Sequence, residues 1–155
     1  MRIGTVMIAL VLLVSGIAFA ESPELDLEIL EPEQGAEVDV ESQAWIRLVL
    51  DEAAPVACTL SLNPRNTCEC QIDLVPQPIS SGSGAKLLYQ GGCWCDRPDD
   101  GYIEILRPEP DTLVSVRGVR MTVAMNVHMD KAQLCARCTV GDFTLNDCVM
   151  FHVVE

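Results

Sequence analysis

The residues best able to do chemistry are eight cysteines, Cys58, Cys68, Cys70, Cys93, Cys95, Cys135, Cys138 and Cys148. Four of them form two Cys-x-Cys pairs, Cys68-Glu69-Cys70 and Cys93-Trp94-Cys95. In an extended strand, residues two apart point to the same side, so each pair places two sulfurs on one face with Cα atoms about 6 to 7 Å apart. A disulfide favours a shorter span, so neither pair closes easily on itself. The 68/70 pair can instead bond the 93/95 pair, closing the loop between them and stabilising the chain by about 2 to 4 kcal/mol per bond through the unfolded state. The alternative is a metal-binding or electron-transfer site, in which the same four thiolates hold zinc, copper or an iron–sulfur cluster. Structural zinc commonly uses Cys-x-x-Cys, and thiols outside the cytosol oxidise, so disulfides without a cofactor are the expectation.

Cys135-Ala136-Arg137-Cys138 has the spacing of a redox dithiol. A thiol–disulfide oxidoreductase presents that pair at a helix N-terminus, where the dipole lowers the first thiol's pKa. Gly141 and Asn146 follow closely and no helical pattern accompanies them, so a structural disulfide, local or to Cys148, is expected. Met121, Met125 and Met129 share one side of an extended run, as do Cys148, Met150 and His152. Soft ligands so placed suit copper, but the same spacing is that of a core-facing strand filled by methionine. His128 and His152 are the only histidines, and neither lies in a metalloprotease spacing. There is no Gly-x-Ser-x-Gly elbow or phosphate loop, and Asp99-Asp100 sits in a Pro-Asp-Asp-Gly turn. The pattern therefore points away from an enzyme. Trp45 and Trp94 are the candidate binding anchors, because exposed aromatics carry much of the energy of an interface.

The elements that must position these residues begin after a targeting segment. Met1-Arg2, the apolar run Ile3 to Val14 and the exit Ala18-Phe19-Ala20 read as a signal peptide over residues 1–20. The alternative is a retained anchor, since the 18 residues from Ile3 to Ala20 just reach spanning length at about 1.5 Å per residue. Residues 21–155 then form a single domain. The whole chain holds 10 basic and 23 acidic residues, a net charge of −13. Removing Arg2 leaves 9 against 23, or −14. Such a surface excludes nucleic acid, which needs cations to neutralise phosphates, and disfavours anionic membranes.

Period-two alternation dominates the mature region, and no long helix is expected. Strands are predicted at Leu25–Leu30, Ala44–Leu50, Val56–Asn63, Cys68–Leu74, Lys86–Gln90, Tyr102–Leu106, Thr112–Val116, Val119–Met129 and Val149–Val153. Ser80-Ser81-Gly82-Ser83-Gly84 reads as a flexible loop, and Gly91-Gly92 together with Arg97 to Gly101 puts Cys93-Trp94-Cys95 in or beside a turn. Eight or nine short strands at turn-punctuated intervals predict an all-β antiparallel sandwich.

Two segments carry a family resemblance. The stretch Leu27-Glu28-Ile29-Leu30-Glu31-Pro32-Glu33-Gln34-Gly35-Ala36-Glu37-Val38 resembles the opening of prokaryotic immunoglobulin-like surface domains. Gly118, followed by apolar residues at alternate positions to Met129 and then Asp130, is similar to their penultimate strand. The resemblance spans Leu25 to Asn63 and Thr112 to Glu155; the centre departs from it, and the Asp-x-x-Gly-Asn turn is missing. It implies a disulfide-stabilised immunoglobulin-like sandwich in which Cys58 is bonded between sheets, and a surface or interaction role. The expected protein is exported, being secreted, periplasmic or at the cell surface, and meets a protein or cell-surface partner.

Overall fold

The computed structural model describes residues 25–50, 54–64, 67–78, 85–111 and 118–155. The signal segment, the Ser-Gly loop and the strand expected at Thr112–Val116 lie outside them. Eleven strands follow in order: β1 (Asp26–Glu31), β2 (Glu37–Asp39), β3 (Glu41–Val49), β4 (Val56–Asn63), β5 (Cys68–Pro78), β6 (Ala85–Cys95), β7 (Gly101–Ile105), β8 (Glu109–Asp111), β9 (Gly118–Val127), β10 (Lys131–Val140) and β11 (Phe143–Val154). There is no helix among the described residues. One sheet runs β1-β3-β9-β7, with β8 pairing β9 further along the same edge. The other runs β2-β11-β10-β4-β5-β6. All pairings are antiparallel except that of β2 with β11.

Alternation builds the core. Leu27 and Ile29 on β1, Ala44, Ile46 and Leu48 on β3, and Val119 through Val127 at odd positions on β9 face Leu60 and Leu62 on β4, Leu134 on β10 and Phe151 on β11. Met121 and Met125 are buried in this layer, so their shared face is the core face. Burying each such side chain stabilises the sandwich by about 1.5 to 3 kcal/mol, which is why the register cannot slip by one.

The chain changes sheet early, β1 lying in the first and β2 in the second. Pro32 ends β1, and Gly35, at φ 78°, turns the backbone. The turn is clamped to the last strand. The Gly35 N–H donates to the Met150 carbonyl at 2.7 Å, and the His152 N–H donates to the Ala36 carbonyl at 2.8 Å. The Met150 N–H reaches Gln34 Oε1 at 2.9 Å. From β11 the Asp147 carboxylate accepts the Ile29 N–H at 2.7 Å, tying the first sheet to the second.

Three features differ from the sequence-based expectation. Cys93-Trp94-Cys95 lies beside the Arg97–Asp100 turn and not in one: β6 continues through Gly91-Gly92 to Cys95, in register with β5 along its whole length. β5 runs past Leu74 to Pro78, because beyond Leu74 it has left β4 and pairs with β6 alone, leaving an open side on which proline costs no ladder bond. Lys131 to Val140, for which no strand is predicted, is a central strand between β4 and β11.

The glycine pair in β6 divides its roles. A Cβ on Gly91 would lie 2.3 Å from the Gln71 carbonyl oxygen and 2.8 Å from the Ile72 Cα, whereas one on Gly92 would meet nothing within 4 Å. Backbone cannot move aside as a flexible side chain can. Gly91→Ala is therefore expected to destabilise the fold by about 1 to 3 kcal/mol, the ordinary cost of overpacking. Gly92→Ala should change it by less than about 0.5 kcal/mol, as surface substitutions do, with urea unfolding of the two variants as the check.

Candidate functional site

All eight cysteines are paired, and every bond joins residues directly opposite each other on neighbouring antiparallel strands of the six-stranded sheet. Cys58 on β4 bonds Cys138 on β10 with Cα atoms 4.1 Å apart. Cys68 bonds Cys95 and Cys70 bonds Cys93, both across β5 and β6 with Cα atoms 4.0 Å apart. Cys135 bonds Cys148 across β10 and β11, at 4.1 Å. The sulfurs of each Cys-x-Cys pair do share a face, and that face meets the other pair. With all four oxidised, this site offers no thiolate to a metal, and no cluster of three His, Cys, Asp or Glu side chains occurs among the described residues.

One cysteine expectation is corrected, while for Cys135 the bond that forms, to Cys148, is one of the two expected. Cys58 is bonded within its own sheet, because β10 lies beside β4 in the ladder and brings Cys138 directly opposite. Cys135 and Cys138 are three apart on a strand, an odd spacing that sends them to opposite faces. Cys138 is buried in the core, while the partner of Cys135, Cys148, is exposed on the outside of β11. The Cys-x-x-Cys spacing thus divides between two bonds and forms no dithiol. Met150 and His152 share the outer face of β11 with Cys148, whose sulfur is committed to Cys135. Asp99 and Asp100 lie in a turn closed by the Asp100 N–H on the Arg97 carbonyl at 3.0 Å.

The two tryptophans are not brought together. Trp45 stands on the outer face of the first sheet, opposite Glu31 and Thr122 on the flanking strands. Trp94 stands on the outer face of the second sheet, at its β6 edge and opposite Glu69. Trp94 borders a concavity. A trough of about 600 Å³ runs over β4, β5 and β6, lined by Thr59, Gln71, Asp73, Gln90, Gly92 and Trp94. The row Thr59, Gln71 and Gly92 crosses the three strands in register, so the missing side chain of Gly92 deepens the end of a polar row.

Around the β6 edge, a second cleft of about 220 Å³ opens between the two sheets, lined by Tyr89, Gly91, Tyr102 and Glu104. Sequence reading missed these residues, because Tyr102 and Glu104 come from β7, in the other sheet. Their only trace in the sequence was the Gly-Gly interruption of an alternating strand, which marks a place of close backbone approach. The three ion pairs among the described residues join Arg47 to Glu28 at 2.7 Å, Arg120 to Glu109 at 3.0 Å and Arg97 to Asp100 at 4.0 Å. Asp73 and Glu104 take part in none of them. Aromatic faces, amides and two carboxylates that join none of these ion pairs can bind a ligand along this edge. No protein-family model, curated protein or solved structure matches this chain.

Proposed function

We propose that the chain is an exported, non-enzymatic binding or structural domain, stabilised by disulfides and acting at or outside the cell surface through contacts with a protein or cell-surface partner. The observation that carries this reading is the set of four disulfides lacing one sheet, which suits an oxidising compartment and leaves no thiol for catalysis or metal. The immunoglobulin-like assignment is part of the proposal and is supported by strand order. A variable-type immunoglobulin domain sets its first, second, fifth and fourth main strands in one sheet and adds two strands to the edge of the other. Here β1-β3-β9-β7 follows the first arrangement, and β11-β10-β4-β5-β6 follows the second. The Trp packed on an inter-sheet disulfide in antibody domains has no counterpart, since both tryptophans are exposed.

Intact mass of the exported protein is the test. The expected chain begins at Glu21, is lighter than its reduced form by about 8 Da, two hydrogens for each of four bonds, and takes up no alkylating agent. Eight alkylatable thiols, or stoichiometric zinc, copper or iron, would sink the reading.

A further inference from the structure

We propose that the free edge of β6 accepts an extended, basic polypeptide segment from a protein partner, added as a further strand to the six-stranded sheet. This rests on the reading of the chain as a binding domain and names its surface and the chemistry of its partner. β6 is 11 residues long and, among the described residues, pairs with β5 alone. A long unpaired edge presents a row of backbone donors and acceptors, which proteins ordinarily shorten, cover or charge. This one exposes large apolar and aromatic side chains beside Gln90: Leu88, Tyr89 and Trp94 are 42%, 45% and 50% exposed. At its centre, Gly92, where an added Cβ would meet nothing within 4 Å, leaves room for another backbone to come close.

The pockets on either side fit a strand better than any other ligand shape. A strand laid along β6 sends alternate side chains to opposite faces, so it needs receptors on both. The outer trough offers Trp94 and Asp73; the cleft toward β7 offers Tyr89, Tyr102 and Glu104. Each receptor joins an aromatic ring to a carboxylate, and among the described residues neither is lined by lysine or arginine. A ring face attracts a cation through its quadrupole, and a carboxylate accepts its hydrogen bonds, so both receptors select lysine and arginine side chains. The net charge of −13 attracts a basic segment and repels a second copy of this chain, which argues against self-pairing through β6.

The test uses the oxidised protein and a fluorescein-labelled decapeptide of lysine, arginine, valine and threonine, beside a counterpart with glutamate for every cation, at about 0.15 M salt to screen diffuse attraction. The basic peptide is expected to bind saturably and to slow amide exchange along β6, while the acidic one does neither. Trp94→Ala, which removes an anchor, and Gly92→Val, which fills the trough, should each weaken binding by about tenfold or more, whereas Trp45→Ala should not. Both sites are exposed, so unchanged melting temperatures will confirm that the variants fold. Binding that neither variant weakens, or that leaves β6 exchange unchanged, would overturn the proposal. So would tighter binding of cellohexaose in the same trough, or a dimer that Gly92→Val disperses. Any of these results with the four disulfides intact removes the β6 assignment alone; free thiols or bound metal would remove the binding-domain reading beneath it.

Discussion

Replacing Cys58 and Cys138 together by alanine is expected to cost about 4 to 5 kcal/mol, more than the loss of any other disulfide in the protein. The order follows from the length of chain each bond closes. Cys58 and Cys138 are 80 residues apart, whereas Cys135 and Cys148 are 13 apart. Loop-closure entropy grows with the logarithm of that length, so the second bond should contribute about 3 kcal/mol. The β5–β6 pair behaves differently because Cys70–Cys93 is nested within Cys68–Cys95, at separations of 23 and 27. With either one intact the other closes only a short additional loop, so removing one should cost much less than removing both. Removing both should cost about 3 to 4 kcal/mol. Domains of this kind are stable by about 5 to 15 kcal/mol, so the Cys58–Cys138 bond decides whether the fold survives at all. Urea unfolding of the four double-alanine variants and the quadruple variant that removes both β5–β6 bonds, all otherwise oxidised, gives the ranking. Equal losses for the 80-residue and 13-residue bonds would show that the unfolded-state account is wrong here.

The strands legible in the sequence were those whose inward residues are large and branched. β4 was readable end to end, because Val56, Leu60 and Leu62 alternate with small polar residues and Pro64 follows. β10 was not, although it lies at the centre of its sheet. Its inward positions are held by Ala132, Ala136 and Cys138 beside Leu134 and Val140, too small to raise a strong period-two signal, and Cys135 and Cys138 invited a redox reading. Only the ladder shows that an odd spacing puts them on opposite faces. β6 failed for another reason: Gly91-Gly92 has the composition of a turn, and only the Gln71 carbonyl oxygen, into which a Cβ at Gly91 would run, explains why the strand carries glycine there. The cysteine partners of 68/70 followed from strand geometry, yet the partners of Cys58 and Cys148 required knowing which strands are neighbours. The candidate site was half visible for the same reason. Trp94 could be named as an anchor, but its surroundings combine β4, β5 and β6, and the adjoining cleft draws on β7 from the other sheet.

Phe151→Ala should destabilise the protein by about 3 to 5 kcal/mol, and it tests the packing of the two sheets as the cysteine variants test their covalent lacing. β11 alternates strictly over its second half: Val149 and Phe151 point inward, while Cys148 and His152 are exposed. Phe151 is the largest of the fully buried side chains, on a strand whose neighbours across the sandwich come from β1. Truncating it removes apolar contact with both sheets and leaves a cavity that a ladder fixed by Cys135–Cys148 cannot collapse to fill, which places the cost toward the upper end of the range. The same substitution eight residues earlier provides the control. Phe143 opens the strand at 54% exposure, so Phe143→Ala should change stability by less than about 0.5 kcal/mol. If thermal or urea unfolding found the two losses similar, the register of β11 would be wrong by one residue, and with it the placement of Cys148 on the outer face. A large loss at Phe151 alone would fix that register, and so the face of the sheet on which each half of the Cys135-x-x-Cys138 motif must lie.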